Sequence, residues 1–474
     1  MILPPSEKKT TRTIKKNDTA SGLATQACTF TPMKRLLIFI AFAPLFVGAQ
    51  GRRPRLPEIV ITSYKTTMIA DGRDTARLRI RVLDTAGNEL PGKASAVHID
   101  VTGDAKIIRT QQSPDDIWIT LQAGPTNGKI LVKASADSMY AGSTEIHSIH
   151  PGTPHPVTGG LPIAGNLVIK DKIIGADISF LPQLEARGMH FSDANGQPGE
   201  AMEIMKAHGF NYIRLRIFDH PDLPKGYAPG KGFCDLLHTM AMAKRIKAAG
   251  MKFLLDIHYS DYWADPQQQN KPAAWSALDF NTLKDSVYTY TRTVLQALKD
   301  QGTTPDMVQV GNEINHGILW PDGAIGNLDS LAQLLFAGIR GVKDVSPSTA
   351  IMLHIALGGQ NAESRFFIDN MIARKVPFDV IGLSYYPRWH GTPDDLKNNM
   401  ADLAKRYHKY VMVAEYSQYK ELVNDIAFTA PGKEALGTFI WEPISTWESF
   451  FDRTGKATPL LDIYVKIARK YGVN

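Results

Sequence analysis

The sequence predicts an α/β protein, a (β/α)8 TIM barrel preceded by a small all-β sandwich. Three observations predict it. Over residues 164–474, short apolar runs alternate eight times with longer helix-like stretches. Between Pro57 and Ile149, β-rich runs recur with turn signals such as DTAGNELPG between them. A chain of 474 residues with 43% hydrophobic content is also too long for one ordinary core, so at least two globular units are expected.

The chain opens on residues 1–32, a polar, irregular stretch that reads as a non-native or disordered extension. Met33 to Gln50, MKRLLIFIAFAPLFVGAQ, then shows a short basic start, an apolar run and small residues before a cut after Ala49. Residues 33–49 therefore read as a signal peptide, with translation expected to begin at Met33. The apolar run, Leu36 to Val47, is short for a membrane span and contains Pro44, so no span is expected in the mature chain. Export to the periplasm or the medium follows. Of the two cysteines only Cys234 survives the cut, and no internal disulfide can form. The net charge of +6 is concentrated before Gln50, where seven Lys/Arg face two Asp/Glu, leaving about +1 for the rest. A near-neutral body argues against nucleic acid as a partner, since phosphate binding needs clustered Lys and Arg. A monomer is expected.

The sandwich, residues 55–149, is built from IVITSY, ARLRIRVLD, AVHIDVTG, AKIIRT, DIWITLQ, GKILVKASAD and STEIHSI. Its stretch IADGRDTARLRIRVLDTAGNELPG resembles the immunoglobulin-like modules attached to bacterial adhesins and large glycosidases. No aromatic cluster stands out in it, so a spacer or packing role is expected. Residues 150–163 contain HPGTPHPVTGGLP, rich in Pro and Gly, and read as a linker.

In the barrel, eight runs pair with eight helices: IIGADISF with 201–208, YIRLRIF with 235–249, KFLLDIHY with 283–299 and MVQVGNE with 328–342. AIMLHIA follows with 363–373, DVIGLSYY with 394–407, YVMVAEY with 421–428 and GTFIWE with 461–471. No glycine-rich phosphate loop follows the first strand, which argues against a nucleotide enzyme. Active sites of such barrels lie at the C-terminal strand ends, so the informative residues are those where each run turns polar.

Those ends carry Asp177 and Ser179; Arg214 and Arg216; Asp256, His258, Ser260 and Asp261; Asn312 and Glu313; His354; Ser384, Tyr385 and Tyr386; Glu415; and Trp441 and Glu442. Two glutamates, Glu313 and Glu415, end strands four and seven and face each other across the mouth. That arrangement suits retaining glycoside hydrolysis, in which one carboxyl protonates the leaving oxygen and the other attacks the anomeric carbon from roughly 5 Å away. Arg214 can hold Glu415 charged, and Asn312 can donate to a sugar hydroxyl. Glu442 is a third candidate for the catalytic pair, but the preceding Trp441 and the following Pro443 suggest a sugar platform at this strand end. The stretch HYSDYWADPQQQNKPAAW lacks the compact spacing of zinc motifs and reads as a sugar-binding loop: Trp263 offers a flat face while Asp261 and Asp265 accept from hydroxyls. Trp320, Trp389, Trp441 and Trp447 also follow strand ends.

From about Ile174 onward the chain resembles glycoside hydrolase family 53, the endo-β-1,4-galactanases of clan A. The resemblance rests on GADISFLPQLE, GFNYIRLRIF, DIHYSDYWADPQQQNKPAAW, PDMVQVGNEINHGILWPDG, FDVIGLSYYPRWHG and VAEY, in that order. It implies a barrel that cleaves internal β-1,4-galactosyl bonds with retention, in galactan side chains of pectin and in type I arabinogalactan. It also implies Glu313 as acid/base and Glu415 as nucleophile, supported by Arg214, His258 and the pair Tyr385 and Tyr386. With Arg214 and Asn312 placed with the catalytic pair, the expected substrate contacts are Asp177, His258, Asp261, Trp263, Asp265, Trp320, His354, Tyr385, Tyr386, Trp389 and Trp441. Between Glu415 and the last strand stands only YSQYKELVNDIAFTAPGKEAL, whereas many bacterial members carry a long loop there that can hold calcium. No metal or other cofactor is therefore expected. Two alternatives remain: a clan A hydrolase of another β-linked polysaccharide such as mannan or xylan, and a non-catalytic glycan-binding protein.

Overall fold

The computed structural model describes residues 56–159, 161, 167–432, 435–445 and 448–473. The extension, the signal peptide, Cys28 and Trp447 lie outside the described residues.

The N-terminal strands are β1 (Glu58–Ser63), β2 (Thr67–Ile69), β3 (Thr75–Leu83), β4 (His98–Thr102), β5 (Ala105–Gln112), β6 (Asp116–Ala123), β7 (Gly128–Ser135) and β8 (Gly142–Ile149). They form two four-stranded sheets, ordered β1-β3-β6-β5 and β2-β8-β7-β4. In β6, Ile117, Ile119, Leu121 and Ala123 are buried and the residues between them are not, the period-2 pattern of a strand with one face on a core. That core joins Leu78, Ile80 and Ile119 of one sheet to Met68, Ile130, Val132 and Ile146 of the other, so the sheets form a sandwich. β2, three residues long, is too short to stand out in the sequence.

The second half is a closed parallel barrel of β9 (Ile173–Asp177), β10 (Tyr212–Ile217), β11 (Lys252–Ile257), β12 (Met307–Val310), β15 (Ala350–Ile355), β16 (Val380–Tyr385), β17 (Tyr410–Tyr416) and β18 (Ala435–Trp441). A two-residue hairpin, β13 (Gly317–Ile318) with β14 (Gly323–Ala324), sits in the connection after β12. The helices are α1 (Leu181–Ala186), α2 (Ala201–Ala207), α3 (Leu236–Ala248), α4 (Phe280–Asp300), α5 (Leu328–Val345), α6 (Asn361–Ala373), α7 (Pro393–Tyr407), α8 (Lys420–Thr429) and α9 (Asp462–Tyr471). The ladder is continuous from β9 through β18 and back to β9.

Alternation along each strand splits the core into two shells. In β10, Ile213, Leu215 and Ile217 pack outward against the helices, while Tyr212 joins Leu254, Met307, Met352, Met412 and Phe439 in a plug inside the barrel. The plug is tight: a Cβ on Gly175 would lie 2.2 Å from the Phe439 ring. It closes the lower barrel, so polar side chains on the same inward faces can gather only above it, toward the C-terminal ends. Sandwich and barrel belong to one compact unit, Pro54–Asn474.

Candidate active site

Above the plug, the next inward positions are Asp177, Arg214, Asp256, Gln309 and His354, all almost fully buried. Arg214 ties the layer together. Its Nη1 donates to Asp177 Oδ2 at 3.1 Å and Glu415 Oε2 at 2.9 Å, and its Nη2 donates to Asp256 Oδ2 and Asn312 Oδ1, both at 2.9 Å. Gln309 Nε2 donates to Asp256 Oδ1 at 2.7 Å and lies 2.8 Å from His354 Nδ1. Charges this deeply buried are tolerable only when paired in this way.

One turn higher, Arg216 pairs with Glu442 at 2.6 Å and Asp177 at 3.3 Å. Its guanidinium lies 4.4 Å from the Phe180 ring centroid and 4.6 Å from that of Trp263. Phe180, Trp263 and Trp441 meet edge to face or tilted, forming one aromatic wall of the mouth.

The two glutamates arrive by different backbone devices. Glu313 lies three residues past β12, after Gly311 at φ +89°, and itself adopts the left-handed conformation, φ +49°, at the head of the short turn Ile314–His316. A non-glycine residue held there is strained, a feature that gathers at functional sites. Glu415 depends on a β-bulge. Alternation from Met412 and Ala414, both in the inner plug, would turn Glu415 outward. The register skips Ala414, pairing Leu383 with Val413 but Ser384 with Glu415, so Glu415 faces inward beside Ser384.

The surroundings of the pair are unequal. Glu313 receives one hydrogen bond, from Ser384 Oγ at 2.6 Å. Burial first, then the neighbouring Glu415 charge, raise its carboxyl well above the ordinary value. Glu415 receives Arg214 on one oxygen and the Tyr386 hydroxyl, at 2.7 Å, on the other. Burial raises it too, but the arginine and the phenol work against that, so the proton shared by the pair belongs on Glu313. His354 sits below Ser384, Nε2 to Oγ 2.8 Å, and burial holds it well below its ordinary value, so it is neutral.

Several residues expected to touch sugar are already engaged by the protein. Asp177 is taken up by both arginines and Ser179, and His354 is wholly buried beneath Ser384. His258 is held on both nitrogens, by Asp256 and by the Ala264 amide. Asp261 accepts from the His220 and Ala273 amides and Asp265 from those of Gln267 and Gln268, so both fasten loops. Tyr385 alternates away from the mouth, its hydroxyl on the Gly391 carbonyl. A polar strand end does not by itself reveal whether its partner is ligand or protein. Asn312 spends its Oδ1 on Arg214 and donates from Nδ2 to the Ala264 carbonyl. Trp263 and Trp441 remain part-exposed in the aromatic wall, Trp320 is part-exposed with its N–H on the His316 carbonyl, and Trp389 is exposed beside Tyr386. Gln309 was missed, although a lone glutamine in the apolar strand MVQV was its signal.

Residues 173–433 match the Glycosyl hydrolase family 53 model. The chain belongs to that family. A probable arabinogalactan endo-beta-1,4-galactanase A of Aspergillus terreus is 36% identical over 306 residues, covering 57% of this chain and 85% of its own length. An endo-beta-1,4-galactanase of Bacillus subtilis is 35% identical over 307 residues, 58% of this chain and 70% of its own. An uncharacterized Niallia circulans protein is 46% identical over 251 residues, and the match spans 66% of its length. Among solved structures, the family 53 catalytic domain of Ignisphaera aggregans superposes with a TM-score of 0.59 at 35% identity, covering 65% of this chain and 99% of that one. A fungal β-1,4-galactanase gives 0.58 at 27% identity, covering 63% and 100%. The family 53 match runs from Ile173, the first residue of β9, to position 433, so it covers the barrel from β9 through α8, stops just before β18 and leaves the sandwich out.

Proposed function

We propose that this chain is an endo-acting hydrolase of β-1,4-galactan that retains anomeric configuration, with Glu313 as acid/base and Glu415 as nucleophile. The reading rests on the unequal pair: one carboxyl carries the proton beside one hydroxyl, while the other is held by a guanidinium and a phenol. The galactan specificity is drawn from the fungal and bacterial relatives.

In the first step Glu313 gives its proton to the glycosidic oxygen while Glu415 bonds to the anomeric carbon and the leaving sugar departs. Arg214 and Tyr386 keep Glu415 ionised and fix its orientation; burial holds the Tyr386 hydroxyl well above its ordinary value, so it stays a donor. In the second step the Glu313 carboxylate takes a proton from water, which attacks the same carbon and releases Glu415. Phe180, Trp263 and Trp441 supply an apolar wall for a sugar ring.

Purified protein should release short galacto-oligosaccharides from potato galactan. Glu313→Ala should lower kcat on the order of 10²–10⁴-fold, and Glu415→Ala at least as much. Full activity in either variant would overturn the assigned roles, and no new reducing ends from the wild type would overturn the function. For the leader we propose export with a mature start at Gln50, which N-terminal sequencing of the exported protein checks. No described helix is long and apolar enough to cross a membrane. We also propose a monomer, to be read by light scattering.

A further inference from the structure

The barrel residue Glu363, in the first turn of α6, is fully buried, yet among the described residues the hydrogen bonds of its carboxylate go to the sandwich, and its approach to the barrel is Oε1 at 4.0 Å from His316 Nε2. Oε2 accepts the Thr66 and Thr67 amides at 2.9 and 2.8 Å, and Oε1 accepts the Thr67 hydroxyl at 2.9 Å. All three donors belong to the sandwich, at the start of β2. The neighbouring Thr66 hydroxyl lies 2.9 Å from Nε2 of His316, whose Nδ1–H donates to the Pro266 carbonyl at 2.9 Å. His147 of β8 packs against the same imidazole, ring centroids 4.5 Å apart. His316 closes the short turn that Glu313 opens, two residues after Ile314.

Further contacts fall on the same side of the mouth. Arg81 Nη2 donates to the Arg388 carbonyl at 2.9 Å, Arg388 pairs with Glu58, and Lys129 sits 5.9 Å from the Trp320 ring. The sandwich thus grips the connections after β12 and β16, which carry Glu313 and Trp389. A loosely tethered spacer would have no need of a fully buried carboxylate dedicated to its backbone.

We propose that the sandwich is a working part of the catalytic face: through Thr66, Thr67 and His147 it clamps Glu363 and His316, and so fixes the strained turn that aims Glu313. Thr66, His316 and Glu363 are positioning residues. The proposal rests on reading Glu313 as the acid/base. The clamp acts on where the acid points, so its loss should lower kcat and leave KM largely unchanged, because a misplacement of about 1 Å is enough to cost turnover.

Three full-length variants test it. Thr66→Val keeps the shape and the Glu363 bonds but removes the hydroxyl from His316; Glu363→Ala removes all three bonds; Glu363→Gln keeps a carbonyl for the two amides. Hydrogen exchange of segment 307–320 should quicken about tenfold in Thr66→Val and Glu363→Ala, the consequence of roughly one lost buried hydrogen bond, with segment 410–416 unchanged. On a short soluble galacto-oligosaccharide their kcat should fall about tenfold with KM within about twofold, and Glu363→Gln should stay within about twofold of wild type in both readouts. Unchanged exchange in Thr66→Val and Glu363→Ala would overturn the clamp. Faster exchange with unchanged kcat would overturn it too, since the reaction would then not need the order it provides. Should Glu363→Ala fail to fold, Thr66→Val decides alone. A wild type inactive on galactan would overturn the proposed function but not the exchange result, so the two failures are distinguishable.

Discussion

Ser384 Oγ lies between the half-buried Glu313 carboxyl and the buried His354 imidazole, which cannot both receive its single hydrogen. When Glu313 is ionised the hydroxyl donates to it, and Ser384 must then accept from His354 Nε2, leaving Nδ1 to accept from Gln309 at 2.8 Å. This bond is the main force lowering the Glu313 carboxyl against burial and the Glu415 charge. Ser384→Ala should therefore move the alkaline limb of the kcat/KM profile to higher pH, because that limb is the loss of the Glu313 proton, and lower kcat about tenfold. An unmoved limb in a pH–rate series would refute the coupling. Glu313→Gln gives a stability test with a defined sign. The folded-state value lies above the ordinary 4.5, so the wild type loses stability as pH rises from there through the raised value. The glutamine variant should melt roughly 2–4 °C higher at pH 8, about 1 kcal/mol, and the gap should close below about pH 4.5 in scanning calorimetry. Arg214→Ala would strand three buried carboxylates and should cost about 3–5 kcal/mol along with activity, read by chemical denaturation.

At the level of elements, the site depends on two departures from regular strand geometry. The bulge at Ala414 turns Glu415 inward, and the turn at Gly311 swings Glu313 over the mouth. A Cβ at Gly311 would meet Ile314 Cγ2 at 2.6 Å, on a backbone at φ +89° that L-residues rarely adopt. Gly311→Ala should destabilise by about 1–3 kcal/mol and lower kcat on the order of 10²-fold, since the strain is relieved by moving Glu313. Parallel melting and kinetic measurements check both parts; a fully active variant would mean that the turn does not aim the acid.

For the molecule as a whole, β17 passes to α8 through Ser417–Tyr419 alone, leaving no long loop over this side of the mouth. Among the described residues no group of acidic, histidine or cysteine side chains is arranged to hold a metal ion. Turnover of galactan should therefore be unchanged after exhaustive EDTA treatment and dialysis, and a loss restored by calcium would overturn this. The sandwich is the larger surprise. As a sequence it reads as a spacer, because its contacts with the barrel, Thr66 to His316 and Thr67 to Glu363, join residues about 250 and 300 positions apart and leave no local pattern.

The barrel strands were legible because each is an apolar run that turns polar at its C-terminal end. The pair Glu313 and Glu415 was legible because an acid at the end of an apolar strand is conspicuous. The short elements β2, β13 and β14 were not, since two or three residues carry no period. By itself the sequence determined the eight-fold repeat, the catalytic end of the barrel and the acids that stand there, because these follow from hydrophobic periodicity and strand polarity. The tertiary structure alone decided that Glu415 faces inward across a bulge, that Asp177, His258 and His354 serve the protein before any sugar, and that the sandwich reaches the Glu313 turn. Each of these depends on partners distant in the chain, and a hydrogen bond across such a distance is chosen by packing rather than by any local spacing.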